Sequence, residues 1–339
     1  MSLLGFLPWL EFVACLVVIG FAGVKLSLFG DVIADKAGLG GSWVGVVMLA
    51  TVTSLPELVT GVTSVTVANL PDIAVGNALG ACVINLCIFV VLDFLHRGQS
   101  LYRESSQGHI LSAGFGVVML SYAGFSILVS QNGYQQAIWH VGLYSPIAFI
   151  MYGVAVRSVF QYEKTHVAAF TGHAPDKRPD LSLRQAVARY AAAALVVVVA
   201  GIALPFVGDH IARDMGWQQS FVGSVFIAVA TTIPEMVVSV AAMRIGALDM
   251  AVANLLGSNL FNMLILAVDD ALYTQGPLLG QVSPVHGVTV FSAIMMTGLA
   301  IIGLIYRPKG RVLHTVGWTS VMLFVIYMLN SYILYLAGL

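Results

Sequence analysis

Two carboxylates stand inside otherwise apolar stretches of this chain. Each closes a five-residue motif that also carries a hydroxyl pair and a proline: Thr-Ser-Leu-Pro-Glu at 53–57 and Thr-Thr-Ile-Pro-Glu at 231–235. An acid within a membrane-embedded stretch is costly and usually marks a functional site. Glu57 and Glu235, at matching places in the two motifs, therefore predict one site that both motifs build.

The motif side chains supply hard oxygen ligands. Thr53 and Glu57 are four residues apart, as are Thr231 and Glu235, so a helix places each pair on one face. Proline removes a backbone donor and clashes with the preceding turn, so both helices should break near the motif prolines. Backbone carbonyls freed there join the hydroxyl and carboxylate oxygens. Such a set suits Ca²⁺, which accepts loose oxygen coordination, better than Mg²⁺.

Two facing carboxylates repel each other unless cations balance them. One divalent ion neutralises both, and so do two or more monovalent ions or protons. The same site can therefore hold either set of charges in turn, which is the physical basis of exchange.

A second pair of apolar stretches carries amide and small side chains at helical spacing. They recur every four residues at Asn77, Ala81 and Asn85 in the first stretch, and at Asn254, Ser258 and Asn262 in the second. Glycines beside them give small-residue faces that allow close helix approach. The amides Asn77 and Asn254 are either further ligands of the cation site or hydrogen-bonding links between helices, and Asn262 is a further candidate ligand.

The rest of the chain has the composition of a membrane protein. Of 339 residues, 59% are hydrophobic and 9% are charged, whereas soluble domains carry about 25% charged residues. Stretches long enough to span a bilayer predict ten helices, near 3–29, 44–68, 73–95, 109–130, 136–157, 184–207, 220–243, 249–271, 283–306 and 313–336. We therefore expect an all-α polytopic membrane protein. The net charge of −1 gives no indication of a nucleic-acid partner.

The two halves of the chain repeat each other. The motif residues coincide at an offset of 178, as from Thr53 to Thr231, and later polar residues coincide at 177, as from Asp93 to Asp270. We predict a first repeat over 1–159, a cytoplasmic linker over 160–183 and a second repeat over 184–339. Five helices in each repeat make the second inverted relative to the first, and inverted repeats with a midplane site are typical of secondary transporters.

Charge placement predicts orientation and surroundings. Lys and Arg concentrate after the odd-numbered helices, so the positive-inside rule puts those connections in the cytoplasm and both termini outside. Asp93, Asp269 and Asp270 fall at predicted helix ends, where we expect solvent or the membrane face around them. Short loops without a regulatory domain indicate a prokaryotic inner membrane.

The motifs resemble the α-repeats of the cation/Ca²⁺ antiporter superfamily, which includes the sodium/calcium exchangers. The resemblance is carried by 53–57 with Gly-Ala-Cys-Val-Ile-Asn at 80–85, and by 231–235 with Gly-Ser-Asn-Leu-Phe-Asn at 257–262. It implies that Ca²⁺ is bound by Glu57, Glu235, Thr53 and Thr231, and that the sodium sites use Ser54, Thr232, Ser258 and Asn85. It also implies no resident cofactor, inorganic cations and the lipid bilayer as partners, and long first and sixth helices that slide to alternate access.

Three positions depart from the family pattern. Ala81 stands where the first repeat usually has Ser, and Asn262 stands where sodium/calcium exchangers often have Asp. Val52 and Ala230 replace the glycine that usually precedes each motif. The Ca²⁺ pair is intact, but these departures weaken the expectation of three-sodium coupling, and the amide at 262 is closer to proton-coupled relatives.

The resulting expectation is a secondary antiporter, not an enzyme, that exchanges Ca²⁺ for Na⁺ or H⁺ by alternating access at a midplane site of Glu57 and Glu235. An H⁺-coupled or K⁺/Mg²⁺-type divalent cation exchanger is the alternative, and a passive channel would lack coupling. An intramembrane hydrolase that uses the glutamates as acid and base is more remote, because no His or Cys repeats with the motif. The sequence predicts no oligomeric state.

Overall fold

The computed structural model describes residues 6–36, 50–96, 100–106, 108–134, 136–166, 181–308, 310–312 and 315–337. These residues are overwhelmingly helical. The first part of the chain forms α1 (Leu7–Lys36), α2 (Leu55–Thr63, continued by a π-helical turn at Ser64–Ala68), α3 (Pro71–Leu95), α4 (Leu101–Glu104), α5 (His109–Gln131) and α6 (Tyr144–His166). The second part forms α7 (Leu183–Met215), α8 (Gln219–Val222, followed by a π-helical turn at Gly223–Ile227), α9 (Ala228–Thr231), α10 (Ile233–Arg244), α11 (Leu248–Leu272), α12 (His286–Tyr306) and α13 (Trp318–Ala337).

The chain is a polytopic helical membrane protein. Within the described ranges, seven helices are long and apolar enough to cross a bilayer, and eight when the bent pair Gln219–Thr231 and Ile233–Arg244 counts as one span. The predicted helices at 44–68 and 136–157 are not in this set: Leu55–Ala68 is a shorter apolar helix, and residues 44–49 lie outside the described residues. The number ten therefore stays a prediction.

One predicted helix is wrong at its beginning. Residues expected to open the helix at 136–157 instead form a two-stranded hairpin, β1 (Ala137–Ile138) and β2 (Val141–Gly142), before α6 begins. The backbone N–H of Gly142 donates to Asp270 Oδ2 at 2.9 Å, so a tertiary hydrogen bond replaces the helical one. Most of the linker predicted at 160–183 falls on 167–180, outside the described residues.

The central helices α3 and α11 correspond in the sequence repeat and run in opposite directions. Asp72, at the start of α3, has its Oδ1 2.9 Å from Nε2 of His286, which follows the end of α11. Asp249, at the start of α11, has its Oδ1 3.0 Å from Nε2 of His109, which follows the end of α3. The beginning of each helix thus lies beside the end of the other, which is the inverted relation that the repeat predicts.

The long helices α1 and α7 pack along each other and cover one side of the helix breaks. Each crosses the opposite half at a glycine. A Cβ at Gly23 of α1 would lie 2.3 Å from Pro234 Cγ, and one at Gly201 of α7 would lie 2.9 Å from Val59 Cγ1. Neither glycine position has room for a larger residue. The helices α1 and α7 are therefore in direct contact with the helices that carry the motifs.

The expectation for the helix-end acids is wrong. Asp93, Asp269 and Asp270 are each 0% exposed. The loops that follow α3 and α11 fold back over Asp93 and Asp270 and donate backbone N–H groups to them. Asp269 is different, because neither of its carboxylate oxygens has a hydrogen-bond partner among the described residues.

Candidate cation site

Both motif helices break two residues before their proline. In the first half, residues 50–53 are helical, Ser54 is a turn residue with φ −84° and ψ 13°, and α2 begins at Leu55. In the second half, Thr232 has φ −84° and ψ 0°, and the helix axis bends by 43° there. Proline lacks the N–H that the preceding turn needs as a donor and crowds that turn, so the predicted break near each proline is confirmed.

The two glutamates are fully enclosed and point into the space between the halves. Glu57 is 1% exposed and Glu235 is 0% exposed. Ser54 Oγ donates to Glu235 Oε1 at 2.9 Å, whereas both oxygens of Glu57 and Oε2 of Glu235 have no hydrogen-bond partner among the described residues. Buried carboxylates in this state need a proton or a cation, because desolvating an unpaired charge is very unfavourable.

Hydroxyl groups of one half flank the carboxylate of the other half. Thr231 and Thr232 place their hydroxyls beside the Glu57 carboxylate, while Ser54 is bonded to Glu235. Thr232 Oγ1 also donates to the Ala228 carbonyl in its own helix. The motifs therefore meet across the molecule, and the oxygen ligands predicted from each motif serve a common space.

The asparagines of α3 and α11 make reciprocal contacts with the opposite threonines. Thr231 Oγ1 donates to Asn77 Oδ1 at 2.9 Å, and Thr53 Oγ1 lies 3.4 Å from Asn254 Oδ1. Asn77 Nδ2 also donates to the Glu57 carbonyl at 3.2 Å. These amides link helices, and each amide oxygen keeps a second lone pair, so linking does not prevent it from binding a cation.

Further polar atoms along α3 and α11 are buried without partners among the described residues: Asn85 Oδ1, Ser258 Oγ, Asn262 Oδ1 and Asn262 Nδ2. All three side chains are at most 1% exposed. Buried polar atoms without partners are rare in proteins and call for a bound ion, water or a functional role. The position of Ala81, also 0% exposed, supplies no such atom.

Two polar residues in this region were not predicted from the sequence. Asn259 accepts from Asn85 Nδ2 at 3.0 Å and donates to the Cys82 carbonyl at 3.2 Å, and Ser239 accepts from Asn254 Nδ2 at 3.2 Å. Asn259 aligns with Cys82 in the repeat, so comparing the halves does not reveal it. The one feature of the sequence that points to Asn259 is its amide side chain within an apolar stretch.

Few of the candidate cation ligands in this site are ionisable. In the described part of the chain, no group of three or more His, Cys, Asp or Glu residues could hold a metal ion. Two carboxylates with neutral hydroxyl, amide and carbonyl oxygens suit a weakly held, exchangeable hard cation better than a permanent one.

The profile of the family described as sodium/calcium exchanger protein matches residues 7–157 and 185–334 of this chain. The chain belongs to this family. Each of the two matched segments carries one of the Pro-Glu motifs, so the family assignment includes both glutamates.

Two relatives of this exchanger-family protein match it over different lengths. The inner membrane protein YrbG of Escherichia coli is 22% identical over 294 residues, which are 86% of each chain. The sodium/calcium exchanger MaX1 of Methanosarcina acetivorans is 32% identical over 117 residues, 34% of this chain and 31% of the relative.

Solved structures show the same fold. The H⁺/Ca²⁺ exchanger CAX has a TM-score of 0.73 at 14% identity, covering 97% of this chain and 85% of that one. The sodium-calcium exchanger NCX_Mj has a TM-score of 0.57 at 18% identity, covering 96% and 97%.

Proposed function

We propose that this exchanger-family protein is a secondary antiporter that exchanges Ca²⁺ for Na⁺ or H⁺. The observation that carries the proposal is the glutamate pair. Glu57 and Glu235 come from broken helices of opposite halves, are buried, and together present three carboxylate oxygens without partners in the described structure. A divalent cation fits this charge, and so do two protons or two monovalent cations.

In this mechanism the substrate Ca²⁺ is bound by the two carboxylates, with Thr53 and Thr231 supplying further oxygen. Ser54, Thr232, Ser258, Asn85 and Asn262 offer the neutral oxygens that a monovalent counter-ion uses, with Asn77 and Asn254 bracing the breaks or adding their own amide oxygens. Occupation by Ca²⁺ excludes the counter-ions, because both need the same carboxylates. Movement of α1 and α7 across the two motifs opens the site to one face at a time.

Relatives of both coupling types support Ca²⁺ as a substrate. CAX is named as an H⁺/Ca²⁺ exchanger, and MaX1 as a sodium/calcium exchanger. Ala81 and Asn262 reduce the oxygen and charge available to sodium, which favours protons. We place the protein in a prokaryotic inner membrane with both termini outside, repeats over 1–159 and 184–339, and the linker in the cytoplasm.

The test is ⁴⁵Ca²⁺ uptake into proteoliposomes. Glu57→Gln and Glu235→Gln keep the side-chain shape but remove the charge, so each should reduce uptake by about a hundredfold or more, since a lost buried charge interaction is worth several kcal/mol. Glu11→Gln removes an acid on the exposed surface of α1 and should leave uptake unchanged. Full uptake in both site variants would contradict the assignment of the carboxylates.

Imposed gradients identify the counter-ion in the same vesicles. Proton coupling predicts uptake driven by a pH gradient in sodium-free buffer, and sodium coupling predicts uptake only with a sodium gradient. A channel would instead pass ⁴⁵Ca²⁺ down its own gradient without stimulation by unlabelled Ca²⁺ on the opposite side.

A further inference from the structure

Asp269 is a buried acid that the cation site does not include. Its side chain is 0% exposed, and both carboxylate oxygens lack a hydrogen-bond partner among the described residues. Its neighbour Asp270 accepts from Gly142 N, Leu278 N and Ser145 Oγ. Two consecutive acids thus differ completely: Asp270 is fully hydrogen-bonded, whereas Asp269 has no hydrogen bond to any described residue.

The Asp269 carboxylate lies against the backbone of α2. A Cβ at Gly61 would be 2.5 Å from Asp269 Oδ2 and 2.8 Å from Oδ1, so only glycine leaves room for the acid here. Gly61 is four residues beyond Glu57, one turn along the same face of α2. Asp269 is likewise seven residues beyond Asn262, two turns or about 10 Å along α11.

Asp269 lies between the glutamate pair and one face of the membrane. The ends of the two helices that enclose it meet at that face, where Gln275 Nε2 donates to Asn69 Oδ1 at 2.8 Å. Asn69 follows the π-helical turn that continues α2, and Gln275 follows α11. Asp269 is three residues from the end of α11, so an ion leaving the glutamates towards this face along α2 and α11 passes it.

The repeat shows that this acid is an addition to one half. Leu92 occupies the corresponding position of α3 at an offset of 177, and Ser239 corresponds to Gly61 at an offset of 178. Leu92 is also 0% exposed, so the fold accommodates an apolar side chain at this place. The scaffold that the two halves share therefore does not depend on a carboxylate at this place, so the acid of the second half is available for binding.

The surroundings favour a proton over a metal ion. The titratable groups around the end of α11 are His140, which bonds to the Ala271 carbonyl, and Tyr144, which bonds to Asp270. Tyr273 of the following loop lies near Asp72, and Glu57 lies one turn before Gly61 on α2. All except Glu57 already have hydrogen-bond partners. A metal ion needs several oxygen ligands, whereas one carboxylate is enough for a proton.

We infer that Asp269 binds the proton that exchanges with Ca²⁺ on its way between the cation site and the membrane face where α2 and α11 end. This inference rests on the proposed function with H⁺ as counter-ion. In this step the Asp269 carboxylate takes up H⁺ and releases it again, with no change of oxidation state. Ca²⁺ at the glutamate pair drives the proton off Asp269, because the added positive charge favours the ionised carboxylate.

The experiment compares two transport modes in proteoliposomes for Asp269→Asn and Asp269→Leu. Asn keeps the shape without binding a proton, and Leu is the residue of the other half. Uptake of ⁴⁵Ca²⁺ driven by a pH gradient should fall by about a hundredfold, the lower end of what a positioned proton-transfer group contributes. Exchange of ⁴⁵Ca²⁺ for unlabelled Ca²⁺ needs no proton and should stay at the wild-type rate.

Asp249→Asn is the matched control, because it removes an acid at the opposite end of α11 while its amide oxygen still accepts from Ser106 N and His109. It should change neither mode.

Proton-driven uptake at the wild-type rate in both Asp269 variants would overturn the inference. An equal loss of both transport modes in both variants, if they fold, would also overturn it, because it would indicate a structural role. If the wild-type protein takes up ⁴⁵Ca²⁺ only when a sodium gradient is imposed, the role of Asp269 is also overturned, but the proposed antiporter function is not. Absence of Ca²⁺ exchange in the wild type instead overturns the proposed function.

Discussion

The two halves build the same scaffold around α3 and α11 but differ where atoms are left unbonded. Asp93 and Asp270 correspond in the repeat, and each accepts three equivalent hydrogen bonds. One donor is the backbone N–H eight residues later in the chain. The second is a backbone N–H from the opposite half, and the third is the hydroxyl of the serine three residues after that second donor. The donors are Leu101 N, Gly317 N and Ser320 Oγ for Asp93, and Leu278 N, Gly142 N and Ser145 Oγ for Asp270. Asp72 and Asp249 show the same agreement at the other helix ends, each bonded to a serine N–H and a histidine.

The differences between the halves fall along the proposed ion path. Ser258 corresponds to Ala81, and Asp269 corresponds to Leu92. Ser258 Oγ and both Asp269 oxygens have no partner among the described residues, unlike the symmetric acids. The comparison teaches that the repeated acids at the ends of α3 and α11 hold the adjoining loops, whereas Ser258 and Asp269, each present in only one half, keep oxygens that can bind an ion.

The strongest test of the scaffold is to remove its acids. Asp270→Ala and Asp93→Ala each leave several buried donors without an acceptor, at about 1–3 kcal/mol for each. Both variants should therefore lose most of their folded population, as measured by thermal unfolding and size-exclusion chromatography in detergent. Asp269→Asn, next to Asp270 in the chain, keeps the side-chain shape and breaks no hydrogen bond of the described structure, so it should melt near the wild-type temperature. Equal melting of Asp270→Ala and the wild type would show that these bonds do not hold the loops.

A smaller effect is expected where the halves differ in packing. A Cβ at Gly80 of α3 would lie 2.3 Å from the carbonyl oxygen of Ser224, whereas one at the corresponding Gly257 of α11 would lie 3.2 Å from Ala50 Cβ. The contact at Gly80 is a severe overlap with backbone, whereas the contact at Gly257 is relieved by a shift of a few tenths of an ångström. Gly80→Ala should therefore destabilise the protein by about 1–3 kcal/mol. Gly257→Ala, the matched substitution, should cost less. The free energies of unfolding of the two variants check this, and equal values would remove the distinction between the halves at this contact.

The sequence predicted the features that depend on local chemistry. The breaks before Pro56 and Pro234 follow from the missing N–H of proline, and the enclosure of Glu57 and Glu235 follows from their apolar surroundings. The sequence failed where distant segments decide. The burial of Asp270 depends on donors more than 100 residues earlier in the chain, such as Gly142, which also explains the hairpin in place of helical turns. The link from Asn85 to Asn259 likewise joins residues that no local pattern connects.

The smallest and most specific prediction concerns Ala81 and Ser258, which differ by one hydroxyl. Ser258→Ala removes an oxygen that forms no hydrogen bond in the described structure, so stability should not fall, but ion affinity should weaken by about fivefold, as expected for one hydrogen-bond-scale interaction of about 1 kcal/mol. Ala81→Ser adds the matching oxygen to the first half and should lower the Na⁺ concentration that inhibits ⁴⁵Ca²⁺ uptake by a similar factor.

The double variant Ala81→Ser with Ser258→Ala keeps one hydroxyl but moves it to the other half. It therefore tests whether the number of hydroxyls or their position determines ion affinity. If that double variant behaves as the wild type, the two positions are equivalent across the halves. If it behaves as Ser258→Ala alone, the asymmetry itself selects the counter-ion. No change in Na⁺ inhibition in any of the three variants would mean that both positions only pack.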